Sequence, residues 1–307
     1  MDTLLQQIVN GFVQGSVYAM VALGYTMVYG ILGLINFAHG EVVMVGAMVA
    51  LSVIQSLIDS GLPPLLILLI SLIISVVICM ALGYSIERIA YRPLRNAPRL
   101  APLITAIGVS IVLQNLAMMF WGREYHAFPS LLPNNAHMLS GAIITEVQIL
   151  IVLIALGMMG GLLLLMHRTR LGRAMRAVAE NPSAAILMGV NINGVIAITF
   201  MLGSALAAMA GIMVSANYGI VHYYMGSILG LKAFTAAVLG GIGNMRGAMV
   251  GGLLLGLIES LGAGYIGDLS GGFLGSHYQD VFAFFVLISV LIFRPSGLLG
   301  ERVAERA

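Results

Sequence analysis

Charge is scarce in this sequence. Only 8% of its 307 residues are Asp, Glu, Lys or Arg, against 60% hydrophobic, whereas a soluble domain carries about 25% charged residues. A chain so poor in charge cannot cover itself in water, so lipid must be the solvent for most of it. Cysteine occurs once, at Cys79, which excludes an intrachain disulfide. Lysine occurs once, at Lys232, in an apolar segment. A Walker A loop places a lysine after glycine so that it reaches phosphates, and Lys232 follows Leu231, so ATP cannot be bound in that way. No Gly-x-Ser-x-Gly elbow is present. The six histidines, at 39, 126, 137, 167, 222 and 277, have no metal-ligand spacing. The sequence His39-Gly40-Glu41 also lacks the second histidine of a metalloprotease helix. The net charge of +2 is too small to suggest nucleic acid. The expectation is a membrane protein with no metal, no cofactor, no nucleic-acid partner and no enzymatic activity.

What remains is mostly apolar sequence of membrane-spanning length. Residues 1–307 read as a single all-α membrane domain, a polytopic bundle of about eight transmembrane helices with short broken or half-helical elements. The spans fall near 4–29, 42–57, 65–84, 101–121, 147–166, 195–216, 248–261 and 281–293. The N-terminal segment lacks a basic n-region and reads as the first helix rather than a signal peptide. Two segments are too short and irregular to span in the ordinary way. One is Ile31–Glu41, carrying Asn36, His39 and Glu41; the other is Ile228–Gly243, carrying Lys232. Broken backbone at membrane depth is tolerated only where protein or water satisfies it. The tetrad Ile-Leu-Gly-Leu occurs in both, at 31–34 and 228–231, and Met-Val-Gly recurs at 44–46 and 249–251. Such an echo is either an internal duplication around a pathway or chance in Gly- and Leu-rich sequence.

In the first span Gln7, Asn10, Gln14, Tyr18 and Tyr25 recur at steps of three, four and seven and share one face. A polar stripe in a membrane faces protein or a water-filled path. Gln14, Tyr18, Tyr25, Asn36, His39 and Glu41 are therefore candidates for a pathway or a subunit contact. Gly11 and Gly15 on the same helix invite close approach of a neighbour.

Basic residues fall in three clusters, Arg88–Arg99, Arg168–Arg176 and Arg294–Arg306, holding eleven of the fourteen Lys and Arg. The positive-inside rule puts all three in the cytoplasm and residues 122–145 outside. Parity then requires Ile228–Gly243 to cross as well, and it places the N-terminus inside if Ile31–Ala38 also crosses. The second cluster opens the longest stretch suited to water, Arg168–Asn191. Two short helices are expected there, over Ala174–Ala179 and Ala184–Met188. Asn181 caps the second, Pro182 is its first helical residue and Gly189 stops it. From spacing alone this is either a basic loop that holds topology or a docking element.

Six stretches carry a family resemblance. They are GYTMVYGILGLINFAHGE (Gly24–Glu41), SIERIAYRPLR (Ser85–Arg95), ITAIGVSIVLQN (Ile104–Asn115), GRAMRAVAENPSAAILMGVN (Gly172–Asn191), LKAFTAAVLGGIGNMRGAMVGGLLLG (Leu231–Gly256) and FRPSGLLG (Phe293–Gly300). Over nearly its whole length the chain resembles the LivH-type permease of bacterial branched-chain amino-acid ABC importers. The resemblance implies a multi-pass inner-membrane subunit that translocates leucine-, isoleucine- or valine-type amino acids. It implies four kinds of neighbour: a second related permease, two cytoplasmic ATPase subunits that hydrolyse ATP, a periplasmic amino-acid-binding protein and membrane lipid. It also implies that Glu180–Gly189 is the coupling helix that docks on an ATPase, with Glu180, Asn181, Pro182, Ala184, Ala185 and Gly189 as its site residues. Here the order Glu180-Asn181-Pro182-Ser183-Ala184-Ala185 departs from the Glu-Ala-Ala order of other importer permeases. Without the resemblance, the rival readings are an ion-coupled secondary amino-acid transporter using Glu259 and Lys232, or a structural membrane protein with no path.

Overall fold

The computed structural model describes residues 2–95, 97–98, 100–139, 141–269 and 278–300. Arg99, Arg302 and Arg306 of the basic clusters lie outside the described residues, as do His277 and residues 270–277 of the glycine-rich loop. Eleven α-helices follow one another among the described residues: α1 (Asp2–Leu32), α2 (His39–Leu57), α3 (Pro64–Ser85), α4 (Leu100–Trp121), α5 (Glu146–Arg168), α6 (Arg170–Glu180), α7 (Pro182–Leu187), α8 (Ile192–Tyr218), α9 (Met225–Gly240), α10 (Met245–Leu269) and α11 (Gln279–Phe293). Seven contain stretches long and apolar enough to cross a membrane, while α9 and the Ala283–Phe293 part of α11 are shorter apolar helices.

Local chemistry sets the helix ends. Thr145 and Gln148 form a reciprocal capping box at the start of α5, and Pro64 opens α3. The Asn191 side chain accepts from Gly194 N–H to start α8, and Gly219 at φ +70° ends it. After α3 the helix widens into a π-helical turn, Ile86–Tyr91, and then a 3₁₀ turn, Arg92–Leu94.

Four short strands occur among the described residues, three of them within 122–145. Strand β1 (His126–Ala127) pairs antiparallel with β4 (Ile220–Val221), and β2 (Ala136–Leu139) pairs with β3 (Ala142–Thr145) in a tight hairpin. These pairings orient the chain. The β1–β4 ribbon lies shortly before the start of α9, and Gly240 at the other end of that helix accepts a backbone bond from Leu299 at 2.9 Å in the tail after α11. The sixteen residues of α9, about 24 Å long, thus carry the chain from below the ribbon to the end that holds the tail. With α8, α10 and α11 it makes the four passes that the basic clusters require. Gln6 exchanges bonds with the backbone of Ile143 in β3, which holds the N-terminus at the hairpin end, the outer end if the positive-inside rule places the basic clusters.

The segment Ile31–Glu41 is a break, but not a half-helix. Ile31 and Leu32 complete α1, residues 33–38 are non-helical, and His39–Glu41 form the first turn of α2. It therefore supplies no extra crossing, so the condition under which parity would put the N-terminus inside is not met. The Ile-Leu-Gly-Leu echo also dissolves: its first copy runs off a helix end, while the second lies within α9.

Helices α1, α2 and α8 form the buried centre, while α3, α4 and α5 turn large apolar side chains outward, among them Ile73, Ile104, Phe120 and Leu164. Contact between α1 and α10 is backbone to backbone. A Cβ built on Gly11 would lie 2.8 Å from Leu257 Cα, and one on Gly15 would lie 2.8 Å from Leu253 Cα. The neighbour these glycines admit is thus a helix of the same chain. Gly15→Leu is expected to overpack this seam and destabilise the chain by about 1–3 kcal/mol or more. The check is the yield and melting temperature of the solubilised chain expressed alone. Wild-type values with loss only of an assembled complex would place this seam between subunits instead.

Candidate functional site

The water-exposed stretch folds as two capped helices at the inner end. Thr169 accepts from Gly172 N–H to start α6, which buries Met175 and Val178 and turns Arg170, Arg173 and Arg176 outward. Asn181 accepts from Ala184 N–H at 3.0 Å, Pro182 is the first residue of α7, and Gly189 leaves at φ +81°. Glu180, Asn181, Pro182 and Ala184 are exposed. Glu180 and Arg176 open on an inner cleft of about 1050 Å³, shared with Tyr29, Gly33, His167 and Arg246. No ion pair joins Glu180 to Arg176 among the described residues. Ala185 differs from the other residues of the element: it is 3% exposed and packs into the chain's own core. The face turned to water is instead Ile186, Leu187 and Met188, with Leu187 87% and Met188 84% exposed. Sequence reasoning passed over these because apolar residues in a short helix look like its buried side.

Directly behind α7 sits a bracket that spacing did not reveal. Glu87, in the π-helical turn, is wholly buried and pairs with Arg92 at 3.3 Å and with Arg95. Arg95 also donates to Asn193 Oδ1 at 2.6 Å in the first turn of α8. The first arginine cluster is thus tied through Glu87 and Asn193 to the helix that follows α7. The only signal in the sequence was an acid preceding a run of arginines.

The polar residues of the first span lie inside the chain. Gln14 and Tyr18 both donate to Glu259 Oε2, at 2.9 and 2.8 Å. Lys232 lies 3.1 Å from the same oxygen and 2.7 Å from Asp280 Oδ1, so α1, α9, α10 and α11 meet at one ionic knot. Tyr25 stacks edge-on against His39, ring centroids 4.8 Å apart. Asn36 accepts from the Tyr91 hydroxyl at 3.2 Å. Glu41 Oε1 accepts from Gln114 at 2.7 Å, Ser227 at 3.0 Å and Ser110 at 3.1 Å. The six candidates therefore fall into four intramolecular groups, Gln14 with Tyr18, Tyr25 with His39, Asn36, and Glu41, rather than one continuous path. Among the described residues no group of three His, Cys, Asp or Glu could hold a metal ion.

The profile of the family described as branched-chain amino acid transport system / permease component matches residues 7–291. The chain belongs to this family. It is similar to the high-affinity branched-chain amino acid transport system permease protein BraD of Pseudomonas aeruginosa, with 49% identity over 98% of this chain and 97% of that protein. The corresponding protein LivH of Escherichia coli K12 is 45% identical over 98% of this chain and 97% of its own length. The probable branched-chain amino acid transport permease LivH of Methanocaldococcus jannaschii is 27% identical over 95% and 91%.

As a permease of this family the chain is a multi-pass membrane subunit of an ABC importer, not an enzyme, and it works with other transporter components. Glu259 and Lys232, which an ion-coupled transporter would need to cycle, are each other's counter-ions here. Removing one partner of a buried ion pair strands the other charge. Lys232→Met should therefore cost about 3–5 kcal/mol, read as a lower melting temperature of the solubilised permease. Adding Glu259→Gln should recover much of that loss. Equal melting temperatures for wild type and Lys232→Met would show that the knot carries no stability.

Proposed function

We propose that this permease translocates branched-chain amino acids of the leucine, isoleucine and valine type across the inner membrane. A periplasmic binding protein delivers the substrate, a second related permease completes the path, and two cytoplasmic ATPase subunits supply the energy. The names of the similar proteins support the substrate class. Pairing with a second permease is supported by the outward apolar faces of α3, α4 and α5, which suit both lipid and a neighbouring helix surface.

The observation that carries the coupling role is the apolar tip of α7. Leu187 and Met188 stand nearly bare at the inner end on a helix held by a side-chain cap and a proline. A bare apolar tip on a rigid element is what a partner's groove would cover. Ala185 then anchors the helix to its own bundle instead of seating in the ATPase. Movement of α7 passes to α8 through the short Met188–Asn191 link, and from Asn193 to Arg95 and Glu87 at the end of α3. Since α8 packs along α2 and α3, closure of the ATPases reaches the centre of the bundle in one rigid step.

Burying a Leu or Met side chain contributes about 1.5–3 kcal/mol, so Leu187→Ser with Met188→Ser should weaken ATPase docking roughly tenfold or more. Co-purification of the ATPase and ATP-driven leucine uptake in proteoliposomes should fall together, while the permease still inserts. Wild-type uptake with ATPase bound in the double variant would show that α7 is not the coupling element.

A further inference from the structure

Three glutamates are fully or almost fully buried among the described residues, and two have their cation. Glu259 has Lys232, and Glu87 has Arg92 and Arg95. Glu41, 1% exposed, has no basic partner among the described residues. A buried charge without a partner is costly, so its surroundings are informative.

Glu41 is the third residue of α2, and Ser227, which donates to it, is the third residue of α9. Two helix N-termini thus converge on one carboxylate, each stabilising negative charge. They approach closely because Gly40 and Gly230 face each other; a Cβ on Gly40 would lie 2.8 Å from Gly230 Cα. Glu41 Oε1 accepts from Ser110, Gln114 and Ser227, and Gln114 Nε2 also donates to Ser227. Glu41 Oε2 is buried against Gly226 with no hydrogen-bond partner.

This arrangement polarises the three neutral side chains. Each hydroxyl has one proton, and both are spent on Glu41, so Ser110 and Ser227 keep only lone pairs for anything else. The two N–H bonds of Gln114 are spent on Glu41 and Ser227, which leaves its carbonyl oxygen as an acceptor. These three residues are half-buried where Gln114 of α4 meets Ser227 of α9, and Ile111 and Ile228, their neighbours in sequence, are exposed. The result is a polar notch that offers acceptors backed by a negative charge, with exposed apolar residues on the same two helices.

We propose that this notch is a station for the α-ammonium group of the amino acid in transit, with its apolar side chain turned toward the exposed apolar residues of α4 and α9. The inference rests on the reading that the permease carries amino acids. The permeant ammonium supplies the counter-charge that Glu41 lacks in the chain. The hydroxyls of Ser110 and Ser227 and the Gln114 carbonyl accept its protons, while Glu41 holds those groups in the accepting orientation.

The test uses the complete transporter in proteoliposomes, with binding protein, ATP and radiolabelled leucine, and reads leucine taken up per ATP hydrolysed. Glu41→Gln keeps the shape and removes the charge. It removes the counter-charge and frees the hydroxyls to turn, and should lower that ratio about tenfold or more, while ATP hydrolysis continues. Gln114→Leu, at the half-exposed rim, should lower it by a smaller factor. An unchanged ratio in Glu41→Gln overturns the station, and so does an effect confined to assembly yield. If Glu41→Gln fails to assemble, an unchanged ratio in Gln114→Leu overturns it. A wild-type ratio that collapses when sodium is replaced by choline would assign the notch to an inorganic cation and also overturn the proposal. A wild-type transporter that takes up no leucine at all would instead sink the underlying reading.

Discussion

Everything in this permease depends on close backbone contact between α1 and α10. In lipid there is no hydrophobic force between apolar helices, because the tails are as apolar as leucine, so association rests on dispersion and hydrogen bonding at short range. Gly11 and Gly15 permit that range, and Gln14 and Tyr18 on the same helix donate to Glu259 on α10. The dispersive and the polar parts of the seam thus reinforce each other. Lys232 then recruits α9, and Asp280 recruits α11, so four helices share one charge cluster. With α1 fixed, α2 and α8 have a wall to pack on.

Much of the architecture was legible in the sequence because lipid imposes length and the cytoplasm imposes charge. Span positions, the three basic clusters and the four passes after α7 followed from those two constraints alone. The capped helix at Asn181-Pro182 was legible too, because capping is local chemistry and needs no neighbour. What escaped was anything decided by the third dimension. In a soluble helix an apolar residue points inward; in this chain apolar residues point both ways, so Ala185, which the resemblance offered for docking, is buried while Leu187 stands exposed. The same ambiguity hid the partner of Gly15, which is α10 and not another subunit. Glu87 looked like an incidental acid among arginines until the π-helical turn carried it inward. The polar stripe of α1 met one partner at Gln14 and Tyr18, while Tyr25 farther along the same helix meets His39, because residues 33–38 fold the chain back to bring the start of α2 against it.

The three buried glutamates divide the molecule by task. Glu87 sits at the inner end, where its arginines join α3 to the start of α8 beside the exposed tip of α7. Glu259 lies where four helices cross and is neutralised within the chain. Glu41 lies between two helix starts and is met only by neutral donors. A charge tied to arginine at a surface can hinge, a charge tied to lysine in a core holds, and a charge left without a cation can receive one.

The C-terminal tail has a consequence for how the protein is made. Leu298 and Leu299 donate to the carbonyls of Leu239 and Gly240, and Asn244 donates back to Leu299, so the tail clasps the turn between α9 and α10. That turn is synthesised some fifty residues before the clasp. During translation α9 and α10 therefore enter the membrane with their connecting turn open, and the turn closes only after α11 has threaded through and residue 299 has left the ribosome. A chain that stalls or is cut after Phe293 has all its membrane passes and still lacks the latch that holds the α9–α10 turn shut.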